Sequence, residues 1–576
     1  MTPHKPVVGI VGLGTVGRAL LDMLRDTGHE VIGVDSDPAA LARLNGHPTA
    51  DGSAPVHLVA EIAQVSRADL VIEAVSEDEA VKSEVLHRLH TLCADGTPVV
   101  TTTSSLPLTR LAVASGRPAD TMGLRFLIPP GPRGPVQSLH TPMTSPDTAA
   151  AVAELVARLG LTPVAVDSRC AADATALVYA YLNRAMTLYE RGEADRHDID
   201  TAMRMGCGLP FGPLELLDRI GLDTALSVLT GLWTCTDDDS FAPAPVLTRL
   251  VRQGSLGRKS GHGFYAYDAD PPAEPDSPAE PHRPAGLPAA PADVRRVGVV
   301  GSGTMARGIA EVTATAGLPT VLVARDADKA SRAVARIGES LVRAVRRGRI
   351  GPQAKAAALD LLVGADDVGA LGDCDLVIEA VAEDLDVKRA LFARLGAVCE
   401  PDALLATTTS SLSVTACAEA SGRPSRVLGM HFFNPAPAMR LVELVRTDAT
   451  SDQAARTAQA VCERLGRTTV HCRDRVGFIV NYLLFPYLGR ALNLLDRYDT
   501  DIEGIDTAIE RGFGHPMGPF ALLDAIGLDV SLAIQGELYK AFGEPDHMPS
   551  PVLEQLVAAG WLGRKNRRGL RTPSNR

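Results

Sequence analysis

The sequence predicts an α/β plus all-α protein built twice over, each half a doubly wound, largely parallel sheet followed by a helical domain. The first observation behind this is internal repetition. DLVIEAV begins at Asp69 and Asp375, TTTSSL at Thr101 and Thr407, GPxxLLDxIGLD at Gly212 and Gly518, and LGRK at Leu256 and Leu562, each pair 306 residues apart. An interval held without gaps over such a distance marks a duplicated fold. The second observation is that each half opens with an apolar run, a glycine-rich turn, a patterned helix and another apolar run: VVGIVGLGTVG from Val7 then VIGVD from Val31, and VGVVGSGTMARG from Val297 then TVLVAR from Thr320. That strand–helix–strand order builds parallel sheets. The third is that the last part of each half is helix-compatible and lacks alternating strands.

These patterns divide the chain into a sheet domain at 1–167, a helical domain at 168–267, a linker at 268–293, a second sheet domain at 294–473 and a second helical domain at 474–576. The linker, PPAEPDSPAEPHRPAGLPAAPAD and its flanks, is Pro/Ala-rich, buries little, and is expected to be extended and semi-rigid.

Composition excludes several classes of function. Hydrophobic residues make up 45% and charged residues 22%, enough for sizeable cores, while aromatics at 4% leave Ala, Val and Leu to fill them. A net charge of −12 argues against a nucleic-acid or acidic-membrane partner, so an anionic substrate needs local basic groups. Nine cysteines without a CxxC pair or Cys/His zinc spacing predict reduced thiols and no metal site. The N-terminus runs directly into a strand pattern, and no apolar run approaches the roughly 20 residues that cross a bilayer. The expectation is a soluble cytoplasmic protein with no membrane partner.

Gly12-x-Gly14-x-x-Gly17 and Gly301-x-Gly303-x-x-Ala306 fit the dinucleotide fingerprint of a Rossmann-like domain. The first glycine makes the tight turn, the second admits the pyrophosphate, and the small third residue lets helix and strand pack closely. Thr304, Met305 and Ala306 then open a helix whose free N–H groups and dipole favour phosphate. The residue ending the second strand selects the cofactor. Asp35 in the first half suits the ribose 2′-hydroxyl of NAD, so Gly12, Gly14, Gly17 and Asp35 form a candidate second nucleotide site. In the second half Ala324 and Arg325 stand there. Without a carboxylate, and with a guanidinium that can bind a 2′-phosphate, that site is expected to favour NADP(H), with NAD(H) as the alternative.

The segment GMHFFNPAPAMRLVELV, Gly429 to Val445, with TSSL before it and RVGFIVN after it, resembles the catalytic segment of the 3-hydroxyacyl-CoA dehydrogenase family. The resemblance covers essentially all of the second half, and the first half with losses. It implies His431 as acid/base, Glu443 as its carboxylate partner, and Ser410 and Asn481 as ligands of the reacting oxygen. It also implies Glu383, Lys388 and Asn434 on the cofactor side. These residue types suit alcohol oxidation. An imidazole titrates near neutrality and can take the hydroxyl proton as hydride leaves, a carboxylate orients the ring, and hydroxyl and amide groups hold the carbonyl in reverse. The family's helical hairpin between the second and third strands contacts CoA. Here Arg343, Arg346, Arg347, Arg349 and Lys355 make that stretch basic, as CoA phosphates require.

In the first half the 306-residue offset places Arg125 at His431, Gln137 at Glu443, Ile128 at Asn434 and Thr175 at Asn481, leaving only Ser104 for Ser410. An always-protonated arginine cannot act as the base. The glycine turns, Gly12 and Gly301, lie only 289 apart, so the first half is 17 residues shorter just where the basic hairpin belongs. The expectation is an NADP(H)-preferring oxidoreductase interconverting 3-oxoacyl and (S)-3-hydroxyacyl thioesters of CoA or an acyl carrier, active in the second half only. The first half is then an inert partner in an intramolecular pseudo-dimer, with further self-association left open. The (S) configuration comes from the resemblance alone. A dehydrogenase of a non-CoA hydroxy acid and a non-catalytic nucleotide-binding scaffold are the alternatives. The second copy ends LGRKNRRGLRTPSNR where the first ends LGRKSGHGFYAY, which puts the closing packing of that copy in question.

Overall fold

The computed structural model describes residues 5–45, 54–164, 168–267, 293–498 and 500–571, so the expected linker lies almost wholly outside the described residues. In the first half the strands are β1 (Val8–Val11), β2 (Val31–Val34), β3 (Val56–Val59), β4 (Leu70–Glu73), β5 (Val99–Thr101), β6 (Thr121–Arg125), β7 (Pro135–Leu139) and β8 (Thr162–Pro163). In the second they are β9 (Val297–Val300), β10 (Thr320–Val323), β11 (Leu362–Ala365), β12 (Leu376–Glu379), β13 (Leu404–Thr407), β14 (Val427–Phe432), β15 (Leu441–Arg446) and β16 (Thr468–Arg473). The sheets have the same order, β3-β2-β1-β4-β5-β6-β7-β8 and β11-β10-β9-β12-β13-β14-β15-β16. Among the described strands of the two sheets, only the β6–β7 and β14–β15 pairs are antiparallel. The central strands are short, Val/Ile/Leu-rich and buried along their length, as expected where helices cover both faces. Strand order reverses between β1 and β4, and again between β9 and β12, opening a crevice at the carboxyl ends of the strands.

The halves differ between the second and third strands. The second half inserts two helices there, Ala327–Arg346 and Pro352–Asp360, the first capped by the Asp326 carboxylate accepting from the Lys329 amide at 2.7 Å. The first half has one short helix, Pro38–Asn45, before the chain leaves the described residues.

The two helical domains share one hydrophobic core. Leu177, Leu182 and Met186 of the long helix Ser168–Glu190 are buried in the same cluster as Leu483, Leu488 and Leu492 of helix Val480–Tyr498. Ion pairs cross the seam: Arg184 reaches Glu544 at 3.0 Å and Asp546 at 2.9 Å, while Arg490 reaches Asp238 at 2.7 Å. The exchange extends to the sheets. Helix Arg196–Cys207 of the first half lies against β15 and β16, so closely that a Cβ on Gly206 would come within 2.9 Å of Val480 and 3.1 Å of Leu441. Its counterpart Gly512, in the second half, has Leu127 of the first at 2.2 Å from such a Cβ. Each sheet domain is therefore backed by the other half's helical domain. No single helix among the described residues is long and apolar enough to cross a membrane; the bent pair Pro519–Ile526 and Leu528–Phe542 turns by 99°.

Candidate active site

Antiparallel pairing sets the chemistry of the second half. In the β14–β15 ladder His431 stands directly opposite Glu443, which puts both side chains on one face of the sheet. The His431 Nδ1 to Glu443 Oε2 distance is 2.6 Å, and the other ring nitrogen, Nε2, lies 3.0 Å from Ser410 Oγ. The second carboxylate oxygen, Oε1, accepts from the amides of Ile479 and Val480 at 3.0 and 2.9 Å, at the start of helix Val480–Tyr498. Glu443 has no solvent exposure and His431 has 5%. Phe433 and Phe478 flank the imidazole at ring-centre distances of 4.7 and 5.5 Å. Burial and two amide donors fix the carboxylate, the carboxylate fixes the ring, and Nε2 faces the serine hydroxyl. Asn481 follows the Val480 amide directly and is buried.

The serine is held from the other side. Glu383 accepts from the Ser410 amide at 2.9 Å and the Ser411 amide at 3.3 Å, and from the Thr409 hydroxyl. Burial pushes its carboxyl up, but the Lys388 ammonium with the Thr409 and Ser410 donors outweigh that and hold it below the usual carboxylate range. Lys388 sits deeper than a cofactor contact requires. Its side chain is 1% exposed, with Nζ 2.8 Å from Glu379 and 3.3 Å from Glu383. Asn434 is exposed on the segment after β14.

The residues at the crevice fit a nicotinamide dinucleotide. Gly301 has φ 134°, and a Cβ there would meet the Ala380 carbonyl oxygen at 2.4 Å. Gly303 faces open space and caps helix Thr304–Thr315 without a side-chain hydrogen bond, leaving its first N–H groups for a ligand. Ala306 is fully buried, Thr304 is exposed and Met305 half-buried. Ala324 is buried, whereas Arg325 is exposed, and no partner for it is found among the described residues. The first-half turn has the same form: Gly12 has φ 95°, Gly14 faces open space, and a Cβ on Gly17 would strike the Gly12 carbonyl at 1.9 Å. Asp35 there accepts from the Leu13 and Asp37 amides at 2.8 and 2.9 Å.

The structure divides the basic hairpin. Arg343, Arg347 and Arg349 line a cleft of about 500 Å³ that also takes in Pro437 of the catalytic segment; Arg346 and Lys355 do not line it. Arg464 and Arg467 join that cleft, two arginines that sequence reasoning missed. They lie more than a hundred residues from the hairpin, and only the fold brings them to it.

In the first half the same ladder register puts Arg125 opposite Gln137. Glu77 repeats the role of Glu383, accepting from the Ser104 and Ser105 amides at 2.7 Å, and Lys82 is again buried, 2.8 Å from Glu73. Thr175 donates to the Ala171 carbonyl within its own helix at 2.8 Å.

A phosphate-cradling turn at a switch point, beside an imidazole–carboxylate pair, defines a nicotinamide-dependent oxidoreductase. The model of the 3-hydroxyacyl-CoA dehydrogenase NAD binding domain matches residues 7–170 and again 296–475, and that of the C-terminal domain matches 174–267 and 477–572. The chain belongs to the 3-hydroxyacyl-CoA dehydrogenase family and carries both of its domains twice. It is 44% identical over 281 residues to a 3-hydroxybutyryl-CoA dehydrogenase of Mycobacterium tuberculosis, covering 48% of this chain and 98% of that protein. It is 40% identical over 284 residues to the mitochondrial hydroxyacyl-coenzyme A dehydrogenase of Homo sapiens, covering 48% and 90%. A crystal structure of 3-hydroxybutyryl-CoA dehydrogenase from Escherichia coli aligns over 97% of this chain and 100% of its own with a TM-score of 0.55 at 23% identity, a likeness of fold that spans both halves.

Proposed function

We propose that the chain interconverts 3-oxoacyl-CoA and (S)-3-hydroxyacyl-CoA in its second half alone, with NADP(H) preferred, and that the first half serves as an inert pseudo-dimer partner. One observation carries this reading: Ser410, His431 and Glu443 stand in hydrogen-bonded series in one half, whereas the same ladder register in the other half sets Arg125 opposite Gln137.

The nicotinamide ring supplies the hydride acceptor or donor when bound. His431 Nε2 takes the substrate hydroxyl proton in the oxidative direction and returns it in the reductive one. Glu443, pinned by the Ile479 and Val480 amides, keeps the ring oriented and stabilises the imidazolium. Ser410 Oγ, within 3.0 Å of Nε2, and the Asn481 amide share the charge developing on oxygen. Arg343, Arg347 and Arg349 meet the CoA phosphates in the cleft beside Pro437. Exposed Arg325, with no carboxylate at the strand end, receives the 2′-phosphate of NADP(H). Because cells keep that cofactor reduced, the working direction is reduction.

The first half supports the second mechanically. Helix Arg196–Cys207 backs the strand carrying Glu443. The test compares acetoacetyl-CoA with free acetoacetate, each with NADPH and NADH. The proposal expects turnover of the thioester only, faster with NADPH. Equal turnover of the free acid would favour a hydroxy-acid dehydrogenase, and NADH preference would remove the cofactor assignment.

A further inference from the structure

The cleft beside Pro437 gathers more positive charge than its own walls balance. Arg343, Arg347 and Arg349 reach it from the hairpin, and Arg464 and Arg467 from the turn that joins helix Asp452–Arg464 to β16. Glu311, 8% exposed, is the one acidic residue lining it among the described residues, and one carboxylate cannot answer five guanidiniums. No ion pair of any of the five is found among the described residues. A cleft lined by cations without counter-ions attracts a polyanion.

Arg464 and Arg467 are fixed there by neutral partners. The Arg464 guanidinium donates to the Val294 carbonyl at 3.1 Å and the Gly317 carbonyl at 3.2 Å. Arg467 donates through Nη1 to the Met439 carbonyl at 3.0 Å, and its buried Nε has no partner among the described residues. Carbonyls hold a guanidinium without cancelling its charge, and a cation already held loses little freedom on meeting a phosphate. The Met439 contact is also a mechanical link. Met439 and Pro437 lie in the segment that joins β14 to β15, the strands that carry His431 and Glu443. The Thr468 amide, next to Arg467, donates to the Arg440 carbonyl of the same segment at 2.8 Å. The first half has no such pair. At the 306-residue offset Arg158 is tied to Glu154 at 2.6 Å, and Leu161 is buried.

We propose that Arg464 and Arg467 complete a phosphate clamp with the hairpin arginines, and that Arg467, through Met439, makes turnover depend on the 3′-phosphoadenosine diphosphate end of a CoA thioester. The inference rests on the proposed reaction of the second half and narrows its substrate. A thioester on a carrier protein hangs from a phosphopantetheine arm with one esterified phosphate and no nucleotide, so it leaves most of the clamp empty. Binding energy from the remote phosphates is then used at the catalytic ladder as well as in holding substrate. Arg467 is a binding and positioning residue; it does not meet the reacting atoms.

Two measurements on the full chain separate this inference from the reaction on which it rests. The first needs no turnover: calorimetric titration of CoA, with NAD+ and NADP+ both present to fill the nucleotide turns. The variant carrying Arg464→Gln and Arg467→Gln should bind CoA roughly tenfold or more weakly than wild type, the scale of lost charge-assisted hydrogen bonds. Equal affinity would overturn the clamp. The second compares kcat for acetoacetyl-CoA with kcat for acetoacetyl-N-acetylcysteamine, a thioester without phosphate or nucleotide. Wild type should turn over the CoA thioester faster, Arg467→Gln should narrow that ratio about tenfold, and Arg467→Lys should restore part of it. An unchanged ratio in Arg467→Gln would mean that Arg467 only anchors the Met439 segment, which contradicts the proposal; equal kcat for both thioesters in wild type would contradict it too. Failure of wild type to turn over either thioester would instead overturn the proposed function, and the titration alone would then decide the clamp.

Discussion

At the strand position where the second half has His431, the first has Arg125, and the residue across the ladder changes with it from Glu443 to Gln137. A base must lose and regain a proton near neutrality, which imidazole does and guanidinium does not. His431→Ala should therefore cost roughly 10²–10⁴-fold in kcat, the range for general acid–base catalysis. Gln137→Ala should leave turnover within about twofold, the small effect usual away from a site's key contacts. Steady-state rates on both variants check this. Glu443→Gln keeps shape but removes the charge facing Nδ1 at 2.6 Å. Its kcat should fall while KM for the thioester stays near wild type, because the carboxylate works through His431 and does not meet substrate. Ser410, His431 and Glu443, which the structure brings together, could be picked out in sequence because each sits inside a contiguous motif. The Ile479 and Val480 amides that fix Glu443 were not, since backbone donors leave no mark on residue identity. Lys388 was legible as a motif position only; its burial against Glu379 appears once the strands are side by side.

Among the elements, the strand that ends at Val323 is the one to which we assign cofactor choice. Ala324 is buried behind it and Arg325 projects to the surface. Arg325→Ala should lower kcat/KM for NADPH about tenfold or more, a loss of about 1.4 kcal/mol, and leave NADH nearly unchanged. An equal loss with both cofactors would place Arg325 elsewhere. Strand order and the helical hairpin were readable from apolar runs and from the interval between the glycine turns. The hairpin's charges were not all readable in role. Arg346 and Lys355 match the pattern but turn away from the cleft, while Arg464 and Arg467 reach it from a distant helix and strand approach.

For the whole molecule, the duplication could be read from the repeats, but the crossing over of domains could not, because nothing local records which helix backs which sheet. The structure places helix Arg196–Cys207 of the first half behind Glu443's strand, with Gly206 within 2.9 Å of Val480 if it bore a Cβ. Gly206→Leu should push that wall away and lower kcat roughly tenfold, since small displacements of catalytic groups are expensive. Nucleotide affinity, measured by titration, should not move. The seam between the halves should also respond to acid. Burial raises the Asp238 carboxyl, but Arg490 and Ser240 draw it down to about 2, and His547 and Arg184 draw Glu544 down to about 2 against burial. Their stabilising effect is complete above the ordinary values of 3.8 and 4.5 and is lost as pH falls through about 2. The melting-temperature advantage of wild type over Arg490→Met should therefore narrow as pH falls from 4 toward 3; a gap that stays constant would contradict this.

The most direct test of the central claim, one working site in a chain that carries the fold twice, is the initial rate of acetoacetyl-CoA reduction in the full chain, followed by reduced-cofactor absorbance, with and without His431→Ala. This single substitution should remove essentially all activity. A variant that keeps about half of the wild-type rate would show that the first half also turns over and would contradict a single working site.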